Sequence, residues 1–87
     1  MQIEITVQIW REGDQFIAHA MPIDVASSGP TPDAAREALD AAVRLFISTA
    51  ADHGTLDEVL EECGYVRGPG GWTSPPIIGT ERHALAV

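Results

Sequence analysis

Thr31-Pro32-Asp33-Ala34-Ala35-Arg36-Glu37-Ala38-Leu39-Asp40-Ala41-Ala42-Val43-Arg44-Leu45-Phe46-Ile47-Ser48-Thr49-Ala50-Ala51-Asp52-His53-Gly54 is the stretch that decides the fold. Its ends carry helix punctuation. The Thr31 hydroxyl can accept from an unpaired amide of the first turn. Pro32 falls at the first helical position, where its fixed φ suits and its missing N–H costs nothing. Asp33 places negative charge at the positive end of the helix dipole. His53 sits where a cation is favourable against the helix C-terminus, and Gly54 can adopt the left-handed cap. Between the ends, Ala35, Ala38, Leu39, Ala42, Leu45, Phe46 and Thr49 recur at helical spacing. The stripe is small at its start, which lets another element approach the backbone, and bulky at Leu45 and Phe46. Alanines at 34, 35, 38, 41 and 42 cover more than one face, so a second side is predicted to meet a neighbouring subunit or stay exposed.

Before this helix the period changes from helical to two. Gln2 to Trp10 alternates, with Ile3, Ile5, Val7 and Ile9 on one face and Gln2, Glu4, Thr6, Gln8 and Trp10 on the other, the pattern of a half-buried strand. Arg11-Glu12-Gly13-Asp14 is a polar turn, and Gln15 to Ala20 is the second arm of a hairpin. Met21-Pro22-Ile23-Asp24 is a bend, because proline cannot donate within a central strand. Asp24 to Ser28 is a short third strand, ended by Gly29-Pro30. After Gly54, Thr55 with Glu58 spells a capping box, opening a second helix from Leu56 to Cys63 with Leu56, Val59, Leu60 and Cys63 on one face. Gly64 ends it. Arg67 to Pro76 is a loop by composition. Glu81 to Val87 is predicted as a closing strand with His83, Leu85 and Val87 sharing a face.

The order is strand, strand, short strand, long helix, short helix, strand. The expected fold class is α+β, a two-layer domain over residues 1–87 with the long helix on one face of a small antiparallel sheet. The Ile3/Ile5/Val7/Ile9 face is expected to meet the Leu39/Ala42/Leu45/Phe46 stripe.

Composition bounds the function. The chain has 87 residues, thirteen acids, five arginines and no lysine, for a formal charge of −8. Phosphate contacts need Lys and Arg, so direct nucleic-acid binding is not expected. A basic partner protein, steered by the acids, is the functional reading, and solubility is the plain one. A domain this small supports only a modest core, and oligomerisation is a common remedy. A single cysteine, Cys63, rules out an internal disulfide and favours a reducing compartment. With no signal-like start and no apolar run of membrane-spanning length, a cytoplasmic location is expected.

Candidate chemistry is sparse. Glu4, Asp14 and Asp24 lie on or beside strands, where a sheet-borne cluster of acids could hold a divalent metal for nuclease work. Each also has an ordinary role on a solvent face or in a turn. His19, His53 and His83 show no metal-ligand spacing. Cys63 lies beside Glu61 and Glu62, whose charge raises a thiol pKa and disfavours nucleophilic use. The Gly68-Pro69-Gly70-Gly71 run lacks the residues that complete a phosphate loop. No metal, cofactor or catalytic residue is therefore expected, and the chain is read as a binder rather than an enzyme. The partner-binding candidates are Trp10, at a strand end on the polar face, Trp72, within a glycine-rich loop, and Glu58, Glu61 and Glu62. Trp72 either folds back on the core or marks a contact surface, and tryptophan is enriched in both settings. The helix N-terminus explains Asp57 and Glu58 but not Glu61 and Glu62, which sit toward its negative end.

One pattern resembles a known family. Gln15-Phe16-Ile17-Ala18-His19-Ala20, Met21-Pro22, Ser27-Ser28-Gly29 and Thr31-Pro32-Asp33-Ala34-Ala35-Arg36-Glu37-Ala38 are similar to the corresponding parts of HicB-type antitoxins. The resemblance covers about Ile3 to Phe46, and its residues are mostly structural. It implies a partial ribonuclease-H-like fold without that enzyme's metal-binding acids, and a homodimer or higher homo-oligomer. It also implies a partner, a small basic HicA-like ribonuclease toxin with a double-stranded-RNA-binding-like fold, which the antitoxin neutralises by covering its active site or its RNA-binding surface. The alternative is a stand-alone oligomeric interaction module of the same fold with no toxin partner. The family bend carries Leu-Pro-Gly, where this chain has the shorter Ile23-Asp24. Many members continue into a DNA-binding domain; these 87 residues contain none, so operator binding is not expected.

Overall fold

The computed structural model describes residues 1–87. Eight elements follow in order: β1 (Gln2–Ile3), β2 (Thr6–Glu12), β3 (Gln15–Met21), β4 (Val25–Gly29), α1 (Pro32–Asp52), α2 (Leu56–Glu62), β5 (Val66–Gly68) and β6 (Gly71–Thr73). The class is α+β with two helices.

The central unit is the antiparallel sheet β2-β3-β4. Glu12 pairs with Gln15, so the hairpin turn is only Gly13-Asp14, tighter than the four-residue loop the composition suggested. The register places Val7 and Ile9 beside Ala20 and Ala18, and Val25 and Ser27 beside the same two alanines from the other side. This is the inner face. Ala18 and Ala20 are fully buried on it.

α1 forms as its punctuation dictates. The Thr31 hydroxyl accepts from Ala34 N at 3.0 Å, Pro32 opens the helix, and Gly54 follows the His53 cap with φ 72°. The helix lies across β3 and β4 rather than over β2. Its connection from β4 is only Pro30-Thr31, which leaves no chain to carry its start to the far strand. Small residues face one another where it crosses: Ala35 is buried over Ala18 and Ala20, and Gly29 sits under the first turn. A methyl group at Gly29 would lie 2.8 Å from Ala34 C and from Ala35 N, so only glycine permits this approach.

This crossing corrects the expected face of α1. The buried and half-buried positions are Ala34, Ala35, Ala38, Leu39, Ala42, Val43, Phe46, Ile47 and Ala50. Leu45, placed on the stripe by spacing, is 68% exposed, and Val7 on the sheet is 40% exposed. The Ile3-to-Ile9 face therefore meets the helix only along its margin.

The chain's end departs further from expectation. Glu81–Val87 forms no strand, and the Arg67-to-Pro76 loop supplies the closing elements instead. β5 and β6 make a hairpin, and β6 pairs parallel with β1, Trp72 opposite Ile3. The antiparallel order expected from the sequence is thus replaced by a mixed arrangement, β1-β6-β5 alongside β2-β3-β4. The first strand is itself interrupted at Glu4-Ile5. At this break Glu4 N donates to Trp72 O at 3.2 Å, the Tyr65 hydroxyl donates to the Glu4 carbonyl, and the Glu4 carboxylate accepts from Ser74 N at 3.2 Å. β6 comes this close to β1 only because Gly71 has no side chain; a methyl there would fall 2.0 Å from Gln2 O.

α2 ends at Glu62 and buries Leu60 against Tyr65 and Trp72. The capping box does not form. Thr55 makes no side-chain cap; its hydroxyl donates to Ala50 O at 3.3 Å, because the chain turns from α1 into α2 too tightly for the reciprocal geometry. No helix of the chain is long and apolar enough to cross a membrane.

Candidate partner-binding surface

The five candidate residues divide among three places. Trp10 lies on the outer face of the sheet, turned away from α1, opposite Ile17 of β3. Its indole donates to Glu12 Oε1 at 2.9 Å and meets the His19 ring edge-on at a centroid distance of 6.1 Å. It is 41% exposed, and Met21 on the same face is 37% exposed. His19 Nε2 in turn pairs with Asp24 Oδ1 at 2.5 Å, with Asp24 held at φ 60° in the bend. The outer face thus presents an aromatic and thioether surface rimmed by Glu12 and Asp24.

Trp72 is not a contact residue of the free surface. It is 3% exposed, packed with Leu60 and Tyr65, and its ring carries the Arg67 guanidinium at 5.4 Å. Arg67 also pairs with Asp57 of α2 at 3.1 Å. The glycine-rich composition that marks a loop here serves the tight β5–β6 hairpin, which folds the indole inward. A cation over an aromatic face gains electrostatically from the ring quadrupole, so Arg67 ties α2 to β6 through both its partners.

Glu58, Glu61 and Glu62 are exposed on α2, and none makes an ion pair. Three of the five arginines are neutralised locally instead: Arg36 by Asp33, Arg44 by Asp40 and Arg67 by Asp57. Both helices end without a basic residue in the last turn, while Asp52 and Glu61-Glu62 stand there. Acids at the negative end of a helix dipole are unfavourable by roughly 0.3–1 kcal/mol each. The free negative charge therefore collects where it does least for the fold.

The remaining chemistry resolves into structure. Glu4 is tied to Ser74, Asp24 to His19, and Asp14 occupies the hairpin turn. No group of three or more His, Cys, Asp or Glu side chains converges on a common point. Cys63 is half-buried at the margin of the core. Burial, with Cys63 and Glu4 nearby, pushes the Tyr65 phenol above its ordinary pKa.

Sequence reasoning missed one feature. Because α1 crosses β3 and β4, the margin of β2 is left open, and a groove of roughly 580 Å³ runs between Ile5, Val7 and Ile9 on one side and Glu37, Leu39 and Asp40 on the other. It continues into a second groove of roughly 660 Å³ beside Ile3, Val43 and Ile47. The signal was present in the two-residue β4–α1 connection, which pins the helix near β4. Comparison of the chain with protein-family models, with curated proteins and with solved structures finds no match.

Proposed function

We propose that this chain is a non-enzymatic, antitoxin-like cytoplasmic protein. It binds and neutralises a small basic HicA-like ribonuclease toxin of a type II toxin–antitoxin pair. The observation that carries this reading is the distribution of charge. A net −8 protein that spends three of its five arginines on local aspartates leaves Glu58, Glu61 and Glu62 as a free acidic face on α2. Such a face attracts and orients a basic protein, and it repels RNA. The resemblance to HicB-type antitoxins adds the identity of that partner, and its residues occupy β3, the bend, β4 and the start of α1. A closing strand parallel to the first, beside three antiparallel strands under one long helix, supports the partial ribonuclease-H-like reading of the fold.

Co-expression with the small basic protein encoded beside it tests the proposal. The expected result is a stable complex that suppresses the partner's RNA cleavage, loosens at high salt, and weakens when Glu58, Glu61 and Glu62 are changed together to Gln. Undiminished cleavage with this chain in molar excess, and no co-purifying basic protein, overturns it. The second reading, a stand-alone oligomeric interaction module of the same fold, is favoured by the uncovered apolar groove beside β2.

A further inference from the structure

Two apolar surfaces of this chain are uncovered. One is the groove beside β2, whose outer strand edge has no partner: β2 pairs only with β3, and no other backbone hydrogen bond involves Thr6 to Glu12. The other is the C-terminal segment. Residues 74–87 form no helix or strand, and Ile77, Ile78, Leu85 and Val87 are 51%, 98%, 84% and 123% exposed. The chain exposes 6356 Å², whereas a folded protein of its 9.3 kDa exposes about 5,000 Å². Its radius of gyration is 14.7 Å against about 12 Å for a compact chain of this length. The excess of about 1,400 Å² exceeds the roughly 800 Å² that each partner contributes to a stable interface.

We propose that Glu81–Val87 of one copy adds as an antiparallel strand to the β2 edge of a second copy, reciprocally, closing the groove of each. The segment has seven residues, as β2 has. In the antiparallel register that sets Leu85 opposite Ile9, Val87 falls opposite Val7, so both apolar side chains stand over the groove. Ala84 then falls opposite Trp10, and Arg82 opposite Glu12. Neither Arg82 nor Glu12 has an ion pair within its own chain, and opposite charges facing across a sheet stabilise it. The parallel register that sets Leu85 opposite Val7 and Val87 opposite Ile9 puts Arg82 opposite Glu4, whose carboxylate already accepts from Ser74 N and whose amide is bonded to Trp72 O.

Chain length selects the second copy over the chain's own tail. Ser74 is held beside Glu4. Reaching Glu12 from there means passing eight residues of strand, about 26 Å at the usual rise. Eight residues from Ser74 to Arg82 span at most about 26–29 Å, which leaves nothing for the reversal an antiparallel approach needs. The direct parallel continuation of β6 along β2 is blocked as well: it would begin with Pro75 and Pro76, which have no N–H to donate. Pro75 instead packs toward Gly64 at the end of α2.

The test uses the full chain. Light scattering is expected to give twice 9.3 kDa at micromolar concentration. Arg82→Glu acts twice in a reciprocal exchange and is expected to weaken dimerisation about tenfold or more, and Glu12→Arg combined with Arg82→Glu to restore it. Leu85→Asp is expected to give a monomer with unchanged circular dichroism, since Leu85 is outside the core. Glu12→Cys with Arg82→Cys, in a Cys63→Ser background, is expected to cross-link between chains on oxidation. A monomeric wild type, a dimer indifferent to Arg82→Glu and Leu85→Asp, or a cross-link formed within one chain each overturns the proposal.

Discussion

Gly29→Ala tests how α1 is seated. The added methyl would lie 2.8 Å from Ala34 C, 2.8 Å from Ala35 N and 2.9 Å from Ala34 Cβ, where ordinary carbon contacts begin at about 3.5 Å. Two of the three atoms are backbone, so no side chain can rotate away. The first turn of α1 would have to move by about 0.7 Å, and it is held by the Thr31 cap at 3.0 Å. Overpacking of this kind costs about 1–3 kcal/mol. Loss of glycine's unfolded-state entropy returns about 0.4–1 kcal/mol, so the net loss is about 1–2 kcal/mol. For a domain of this size that lowers the melting temperature by roughly 4–16 °C. Differential scanning fluorimetry with urea unfolding measures it, and Gly70→Ala is the control, because nothing lies within 4 Å of its added methyl. A Gly29→Ala melting temperature equal to that of Gly70→Ala would refute the close seating of α1 on β4.

Four further outcomes follow from the same structure. Leu39→Ala, at a site 2% exposed, is expected to cost about 3–5 kcal/mol in urea unfolding, a large part of the roughly 4–13 kcal/mol available to a chain this long. Trp72→Ala should cost a similar amount, whereas Trp10→Ala, half in solvent, should cost far less; equal losses in thermal melts would contradict their different burial. Changing Glu61 and Glu62 to Gln should leave stability equal or raise it by about 0.3–1 kcal/mol per residue at low salt, and a clear loss would show that they hold the fold together. Tyr65, whose pKa is raised in the folded state, binds its proton more tightly there than when unfolded. Its contribution is therefore complete below pH about 10 and lost as pH rises through the folded value. Urea titrations from pH 8 to 12 should show this alkaline loss in the wild type and a smaller one in Tyr65→Phe.

The local elements were legible because their causes are local. Thr31, Pro32 and Gly54 determine the ends of α1 whatever it packs on, and the alternation from Gln2 to Trp10 determines strands. The division of Trp10 and Trp72 was not legible. Both are tryptophans in polar surroundings, and only the β5–β6 hairpin, set against β1 by Gly71, turns one inward. The misplaced closing strand has the same origin. Glu81–Val87 alternates well enough to pair, but pairing needs an edge within reach, and Pro75-Pro76 directs the chain away from β2.

What the sequence determined by itself is therefore the α+β class, the long capped helix, the hairpin and the acidic surplus, all set by nearest-neighbour sterics, period and composition. What only the tertiary structure decided is which edge stays open. That depends on a two-residue connection holding α1 over β3 and β4, and on which strands find partners across more than sixty residues of chain. Long-range pairing is a property of the whole assembly, because loop closure has to be overcome before any of its contacts stabilise it.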